Sequence, residues 1–174
     1  MPAIANLVIR EATPEELPLV ADITKQSYGE YEKDSDPTFW SNYQTNTRKT
    51  LLEGGDTSLV ALLEGQIVAT VLFCQPYEWN VGTQVVKNPF PEMRLLAVLP
   101  EFRNYKVGAK LIDVCEERAR AEGFSAITLH TTKLMTTAKA MYERRGYVPY
   151  PEIDFEPVTG FTVWGFKKDF EPVS

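Results

Sequence analysis

Along the chain, segments whose apolar residues have the spacing of a β-strand alternate with segments whose apolar residues have the spacing of an α-helix. Short apolar or β-branched runs predict seven strands, at residues 7–11, 58–63, 66–73, 93–98, 125–131, 147–150 and 162–170. Apolar residues at helical spacing predict four helices, at residues 13–28, 37–53, 107–122 and 134–145. The long connection 75–91 is expected to extend the flanking strands and, for the rest, to overhang a binding site. The alternation of strands and helices predicts an α/β fold, with a mixed sheet covered by helices on both faces.

One stretch, from residue 92 to residue 123, predicts a strand that leads through a tight loop directly into a helix. Met93 to Val98 has the length of a strand, and Pro100 ends it because proline cannot donate to a β-ladder. The loop covers residues 101–106. The helix begins at Val107 and is expected to end at Gly123, a residue suited to a left-handed C-terminal cap.

The start of this helix has the features of an anion site. The first turn of any helix carries unpaired backbone N–H groups and the positive end of the helix dipole. Gly108 and Ala109 leave that turn almost bare, so a diphosphate could lie against the backbone. Arg103, Lys106 and Lys110 place positive charge around it, in a chain whose net charge is −6. The local charge therefore favours a small anionic ligand.

The same stretch resembles the cofactor-binding motif of the GNAT superfamily of N-acetyltransferases. The residues that carry the resemblance are Val98, Pro100, Arg103, Val107, Gly108, Ala109 and Leu111. A second segment, Ala138 to Tyr147, resembles a later motif of the same family. Lys106 departs from the pattern because it stands where a glycine is usual. In the order of its elements, the resemblance covers nearly the whole chain.

The resemblance implies a GNAT fold formed by one domain over residues 1–174. Its mixed central sheet would have about six to seven strands, with helices on both faces. The central strand pair, Met93–Val98 and Ala126–Thr131, would splay apart and hold the pantetheine arm of acetyl-CoA.

The resemblance also implies which residues bind that cofactor. Leu96 and Val98 would offer backbone groups to the pantetheine, and a backbone N–H near Ala97 or Val98 would polarise the thioester carbonyl. The residues expected to face the pyrophosphate are Arg103, Asn104, Lys106, Val107, Gly108 and Ala109.

Acetyl transfer to a primary amine needs a deprotonated nucleophile and a proton for the departing thiolate. Glu92 stands where some GNAT enzymes carry the base, and burial would raise its pKa toward useful basicity. His130, the only histidine, and water are the alternative bases. Tyr142 matches the tyrosine that donates a proton to the coenzyme A sulfur. Met135 stands where many relatives carry an asparagine that contacts the pantetheine.

The acceptor is expected to be a primary amine of a small molecule or a peptide. Glu152, Asp154 and Glu156 lie in a loop that borders the acceptor entrance in the family, and with Glu92 they would favour a cationic amine. The alternative reading is a GNAT scaffold that binds acyl-CoA as a sensor or interaction module without turnover.

Composition and charge narrow the classes of partner, metal site and cellular setting that the chain could have. The chain has 174 residues and an acidic pI near 4.9, which disfavours nucleic acid and anionic membranes as partners. Cys74 and Cys115 suggest neither a disulfide framework nor a metal site, so a reducing, cytoplasmic setting and no metal are expected. The apolar last strand, from Phe161 to Phe170, would suit a homodimer through terminal strands.

Overall fold

The computed structural model describes residues 6–172, which fall into two compact units. Within this range, the first unit contains residues 6–73 and 95–115, and the second contains residues 74–94 and 116–172. Two strands and one helix contribute residues to both units. The single domain expected over residues 1–174 stays a prediction, and its first five and last two residues lie outside the described range.

The first unit combines a sheet with three helices. Its complete elements, in chain order, are β1 (Leu7–Glu11), α1 (Leu17–Tyr28), α2 (Pro37–Glu53), β2 (Thr57–Leu63) and β3 (Gln66–Cys74, whose last residue belongs to the other unit). It also holds the second part of β6 (Glu92–Val98) and the first part of α3 (Val107–Ala121). The strand order is β1-β2-β3-β6, and β1–β2 and β2–β3 are antiparallel. The strands predicted at residues 58–63 and 66–73 form a hairpin, whose turn residues Glu64 and Gly65 both have positive φ.

Local sequence signals fix where the first two helices begin. The backbone N–H of Thr13 donates to Glu16 Oε1 at 2.8 Å, as expected for a capping box. The first turn, Pro14–Glu16, is a 3₁₀ helix, and the α-helix proper starts at Leu17. Asp36 caps α2 by accepting a hydrogen bond from the backbone N–H of Phe39 at 2.9 Å. The predicted bounds of α2 are therefore confirmed.

The second unit contains the first part of β6, the end of α3 and all later elements. These are β7 (Ala126–Thr131), α4 (Thr136–Arg144), β8 (Val148–Pro149), β9 (Phe155–Val158) and β10 (Phe161–Asp169). β6 and β7 are parallel, with Glu92 opposite Thr128 and Met93 opposite Leu129. β7 pairs antiparallel with β10, which in turn pairs with β8 and β9. The predicted mixed α/β fold is confirmed.

The connection 75–91 differs from its prediction. It forms a separate antiparallel hairpin of β4 (Tyr77–Val81) and β5 (Gln84–Asn88), so the expected extension of the flanking strands is wrong. A two-residue turn that starts at Gly82, with φ of 61°, joins the strands. Outward residues such as Val85 are exposed, whereas Val86 and Asn88 are buried. The hairpin therefore has one buried face and one exposed face.

Outside this hairpin the described residues form eight strands, against the six to seven predicted. The additional strand is β9, which includes Pro157 and pairs only with β10, as suits a proline at an edge. In β10, Phe166 and Lys167 pair with β7 and also with β8. That stretch has no unpaired edge for a homodimer, and homodimerisation stays a prediction.

Candidate active site

The segment expected to bind the cofactor lies entirely in the first unit. After β6, residues 100–105 form a 3₁₀ helix, and α3 begins at Val107. Lys106 joins the two helices in the left-handed conformation, with φ of 60° and ψ of 22°. The backbone N–H of Lys110 donates to the carbonyl of Lys106 at 3.2 Å, which makes it the first bond of α3. The N–H groups of residues 107–109 therefore precede the helical ladder and point out of its first turn.

The left-handed conformation explains why a glycine is usual at position 106. A residue with a Cβ pays about 1–2 kcal/mol for this conformation, whereas glycine does not. The departure noted in the sequence is thus a strained backbone position in the folded chain.

Lys106→Gly is expected to raise the free energy of unfolding by about 0.5–1 kcal/mol, since the relief of strain exceeds the added entropy of the unfolded glycine. Urea unfolding measures the change. Lys106→Ala is the control, because it removes the amine and keeps the Cβ. If Lys106→Gly and Lys106→Ala were equally stable, the claim that the backbone at position 106 is strained would be wrong.

Several groups expected to bind the cofactor already have partners within the first unit. The hydroxyl of Tyr28 donates to the carbonyl of Leu96 at 2.9 Å, and the hydroxyl of Ser27 donates to the carbonyl of Val98 at 3.2 Å. Arg103 lies 2.6 Å from Glu30 and donates to the carbonyl of Ser27 at 3.1 Å. Arg103 therefore ties the loop before α3 to the end of α1. The side chains of Asn104 and Lys106 are exposed, and Val107 is buried.

Two of the three expected catalytic residues meet in the second unit. His130 Nδ1 lies 3.0 Å from Glu92 Oε1, although 37 residues separate them in the chain. The parallel register of β6 and β7 brings them together, because His130 follows Thr128 on the strand beside Glu92. The side chain of Glu92 is fully buried.

The β4–β5 hairpin supplies further partners that the sequence interpretation missed. The hydroxyl of Tyr77 donates to Glu92 Oε1 at 2.6 Å, and Asn88 Nδ2 donates to the hydroxyl of Thr128 at 2.7 Å. Arg94 Nε lies 3.3 Å from Glu92 Oε2. Two sequence signals could have found Tyr77 and Arg94. An aromatic residue recurs two positions after Tyr77, and Arg94 is the single charged residue in the otherwise apolar run of residues 93–98.

The hydrogen bonds of His130 define its protonation. Nε2 lies 2.7 Å from the carbonyl of Ile153, which can only accept, so Nε2 carries a proton. Nδ1 lies 3.0 Å from Glu92 Oε1, which also accepts a hydrogen bond from the hydroxyl of Tyr77. One proton joins Nδ1 and Oε1, and on the ring nitrogen it makes the two groups an imidazolium and a buried carboxylate.

The pKa directions agree with this pairing. Burial works against the charge of Glu92, but His130, Arg94 and Tyr77 outweigh it and lower the pKa of Glu92 below its ordinary value. Burial likewise works against the charge of His130, but Glu92 and the carbonyl of Ile153 raise the pKa of His130. The expected rise in the pKa of Glu92 is therefore wrong: partners that stabilise the charged form are stronger than desolvation.

Tyr142 belongs to another cluster of the second unit. It lies on α4, is buried, and its ring centroid is 5.9 Å from that of Tyr147 in an edge-to-face arrangement. The hydroxyl of Tyr147 donates to the buried Glu116 at 2.8 Å, and Lys168 Nζ lies 2.9 Å from the other oxygen of Glu116. Met135 directly precedes α4.

The acidic loop has mainly structural contacts. Asp154 Oδ1 accepts from the backbone N–H of Gly165 at 2.6 Å, and its carbonyl accepts from Gln84 Nε2 at 2.8 Å. Glu156 lies 3.4 Å from the hydroxyl of Thr162, and Glu152 is exposed. Asp154 therefore fastens its loop to β10 and to the hairpin.

Two further observations concern metals and membranes. Residues 6–172 contain no group of three or more acidic, histidine or cysteine side chains placed to hold a metal ion. None of the helices in that range has both the length and the apolarity needed to cross a bilayer.

Comparison with known proteins relates this arrangement to one family. The acetyltransferase (GNAT) family profile matches residues 17–147. A probable N-acetyltransferase, camello, from Xenopus tropicalis is 30% identical over 90 residues, which are 51% of this chain and 36% of that protein. An amino-acid acetyltransferase from Pseudomonas fluorescens is 35% identical over 86 residues, 49% of this chain and 17% of that protein. The chain thus matches well under half the length of these two curated relatives.

A solved structure supports the fold. The crystal structure of PaiA N-acetyltransferase from Thermoplasma acidophilum in complex with coenzyme A has a TM-score of 0.72, with 95% of this chain and 99% of that chain covered. The sequence identity is 14%, so this likeness establishes the fold alone. The profile match over residues 17–147 shows that the chain belongs to the GNAT family of acetyltransferases.

Proposed function

We propose that the protein transfers an acetyl group from acetyl-CoA to a primary amine of a small molecule or peptide. The observation that carries this proposal is the bare first turn of α3, entered through left-handed Lys106 and directly after the end of β6. Backbone N–H groups at such a turn favour a diphosphate. Membership of the GNAT family and the coenzyme A bound by PaiA N-acetyltransferase support acetyl-CoA as the donor.

The cofactor would be held mainly by backbone groups. Val107, Gly108 and Ala109 would donate N–H groups to the pyrophosphate, and exposed Asn104 and Lys106 would flank it. Leu96, Ala97 and Val98 would present the backbone of β6 to the pantetheine and to the thioester carbonyl. Arg103 would act through the loop that it ties to α1.

The chemical step would be direct attack of the amine on the thioester carbonyl. The amine nitrogen forms the new C–N bond, the C–S bond breaks, and Tyr142 donates a proton to the departing thiolate. Glu92 or water would accept the proton of the amine. The low pKa and full burial of Glu92, and the doubly donating ring of His130, favour water as the immediate acceptor.

The site of the diphosphate is tested by titrating acetyl-CoA into the protein in a calorimeter. Gly108→Glu is expected to weaken binding roughly 100-fold or more, because it places a like charge against the pyrophosphate. Gly108→Ala is the matched control. An added Cβ would lie 3.4 Å from Val98 Cγ2, an ordinary van der Waals contact, so the fold accepts it and binding falls much less.

The outcomes separate the two functions left open by the sequence. Binding that is lost in Gly108→Glu, with thiol release in a screen of primary amines, would support the enzyme. Binding without release of thiol from any amine would favour an acyl-CoA-binding module instead. Equal affinities of Gly108→Glu and wild type would place the cofactor elsewhere and overturn the proposal.

A cytoplasmic setting is proposed with the same function. Cys74 and Cys115 are both buried as reduced thiols, which suits a reducing compartment.

A further inference from the structure

Arg94 is held rigidly beside the buried Glu92, but its terminal nitrogens are uncommitted. Its guanidinium carbon lies 4.5 Å above the ring of Trp79, and its Nε lies 3.3 Å from Glu92 Oε2. The ring of Trp79 is itself stacked on that of Tyr77, with centroids 4.0 Å apart. Within residues 6–172 the two terminal nitrogens of Arg94 have no hydrogen-bond partner, and the side chain is 32% exposed. A planar donor fork is thus held in place by two contacts while its side chain stays partly exposed.

The charges around Arg94 do not cancel. Glu92 carries one negative charge, whereas His130 and Arg94 carry one positive charge each. His130 already compensates Glu92 with a contact at 3.0 Å to the oxygen that Tyr77 also binds. The cluster therefore has one positive charge in excess.

Neighbouring acidic groups do not remove this excess. Glu78 faces Lys87 across the hairpin, on the exposed side of β4 and β5. Asp154 accepts from the backbone N–H of Gly165, Glu152 is exposed and Glu156 lies on β9, and within residues 6–172 none of these carboxylates forms an ion pair with Arg94. An anion bound at Arg94 would meet a net attraction.

We propose that Arg94 binds a carboxylate of the acceptor, and that the acceptors are small amino acids or other amines that carry a carboxylate. The guanidinium fork matches a carboxylate in geometry and can donate two parallel hydrogen bonds to it. Trp79 fixes the plane of the fork, so little side-chain entropy is lost on binding. This inference rests on the proposed acetyl transfer and names the acceptor of that reaction.

The position of Arg94 in the chain suits this role. It lies two residues before Leu96 on β6, the strand whose backbone is proposed to receive the thioester. A simple alkylamine would lack this anchor.

The test compares acceptors that differ only in the carboxylate. We would measure kcat/KM for leucine and for leucinamide, and then extend the pair to other α-amino acids and their amides. Arg94→Gln is expected to lower the ratio of acid to amide by about 10- to 100-fold, as for the loss of hydrogen bonds to a charged group. Arg94→Lys should give an intermediate ratio, since it keeps the charge and loses the fork. Lys87→Gln, which removes an exposed cation from the same hairpin, should leave the ratio unchanged.

The ratio is insensitive to partial misfolding, because damaged protein loses activity toward both acceptors alike. An equal ratio in wild type and Arg94→Gln would overturn the inference and leave the proposed acetyl transfer intact. If wild type binds acetyl-CoA but releases thiol with no amine of the wider screen, these acids and amides included, the proposed function fails. Calorimetric binding of N-acetyl-leucine then decides the inference alone: it stands if Arg94→Gln weakens binding at least tenfold and falls if the two proteins bind equally.

Discussion

Replacing His130 with leucine is expected to destabilise the protein by about 3 kcal/mol near pH 6.5. The substitution leaves the buried carboxylate of Glu92 without its closest cation, and breaking a buried ion pair in this way costs roughly 3–5 kcal/mol. The lower figure is expected because Arg94 and Tyr77 remain beside the carboxylate. Urea unfolding of wild type and variant measures the difference.

The pH dependence gives this prediction a distinctive form. His130 has a raised pKa, so its contribution to stability is complete below its ordinary value of 6.5 and is lost as the pH rises through its folded pKa. Glu92 has a lowered pKa, so its contribution is present above its ordinary value of 4.5 and is lost as the pH falls through its folded pKa. The pair therefore contributes fully between about pH 4.5 and 6.5.

Without His130, Glu92 can relieve its burial by taking up a proton. The deficit of His130→Leu should therefore be smaller at pH 4.5 than at pH 6.5. The double variant Glu92→Gln with His130→Leu removes both charges and should be more stable at pH 6.5 than His130→Leu alone. A deficit below about 1 kcal/mol, the size of an exposed pair, or one that is equal at both pH values, would contradict a buried ion pair.

Tyr142→Phe is expected to lower kcat by about 100-fold or more, with the dissociation constant of acetyl-CoA unchanged. The loss is the usual size for a general acid, because the thiolate would leave without its proton donor. The ring of Tyr142 keeps its packing against Tyr147, so the fold should be retained. Steady-state kinetics with thiol release and calorimetry with acetyl-CoA measure the two quantities on one preparation.

Tyr147→Phe provides the matched control, since it deletes a hydroxyl from the neighbouring ring. That hydroxyl donates to the buried Glu116, so its loss should cost about 1.5–3 kcal/mol of stability while kcat stays within a few-fold of wild type. If both variants lost kcat by the same factor, the effect would come from packing, and Tyr142 would not be the acid.

The comparison of these two tyrosines shows what sequence motifs can and cannot supply. The family motif selects Tyr142 by its place before the helix end at Gly146, whose φ is 94°. No local pattern predicts that Tyr147 reaches Glu116, 31 residues earlier on α3. Such a contact depends on how the segment between α4 and β8 packs on α3, which residue spacing along one element does not encode.

The sequence by itself determined the elements and the cofactor segment. Helix start and stop signals placed α2 at Pro37–Glu53, closed by Gly54, and a short apolar run placed β1 at Leu7–Glu11. The run from β6 into α3 was equally visible, since proline and glycine act on their own backbone. Even Lys106 stood out as the residue in the place of a glycine, and its left-handed φ gives that departure a physical meaning.

Tertiary structure alone decided the chemistry of the buried charges. Burial by itself predicts a raised pKa for Glu92, but the parallel register of β6 and β7 brings His130 to it, and the β4–β5 hairpin brings Tyr77. These partners come from segments up to 38 residues away, and together they reverse the direction of the pKa shift. The ionisation of a buried group is set by every charge within a few ångströms, whereas the sequence shows only the neighbours along the chain.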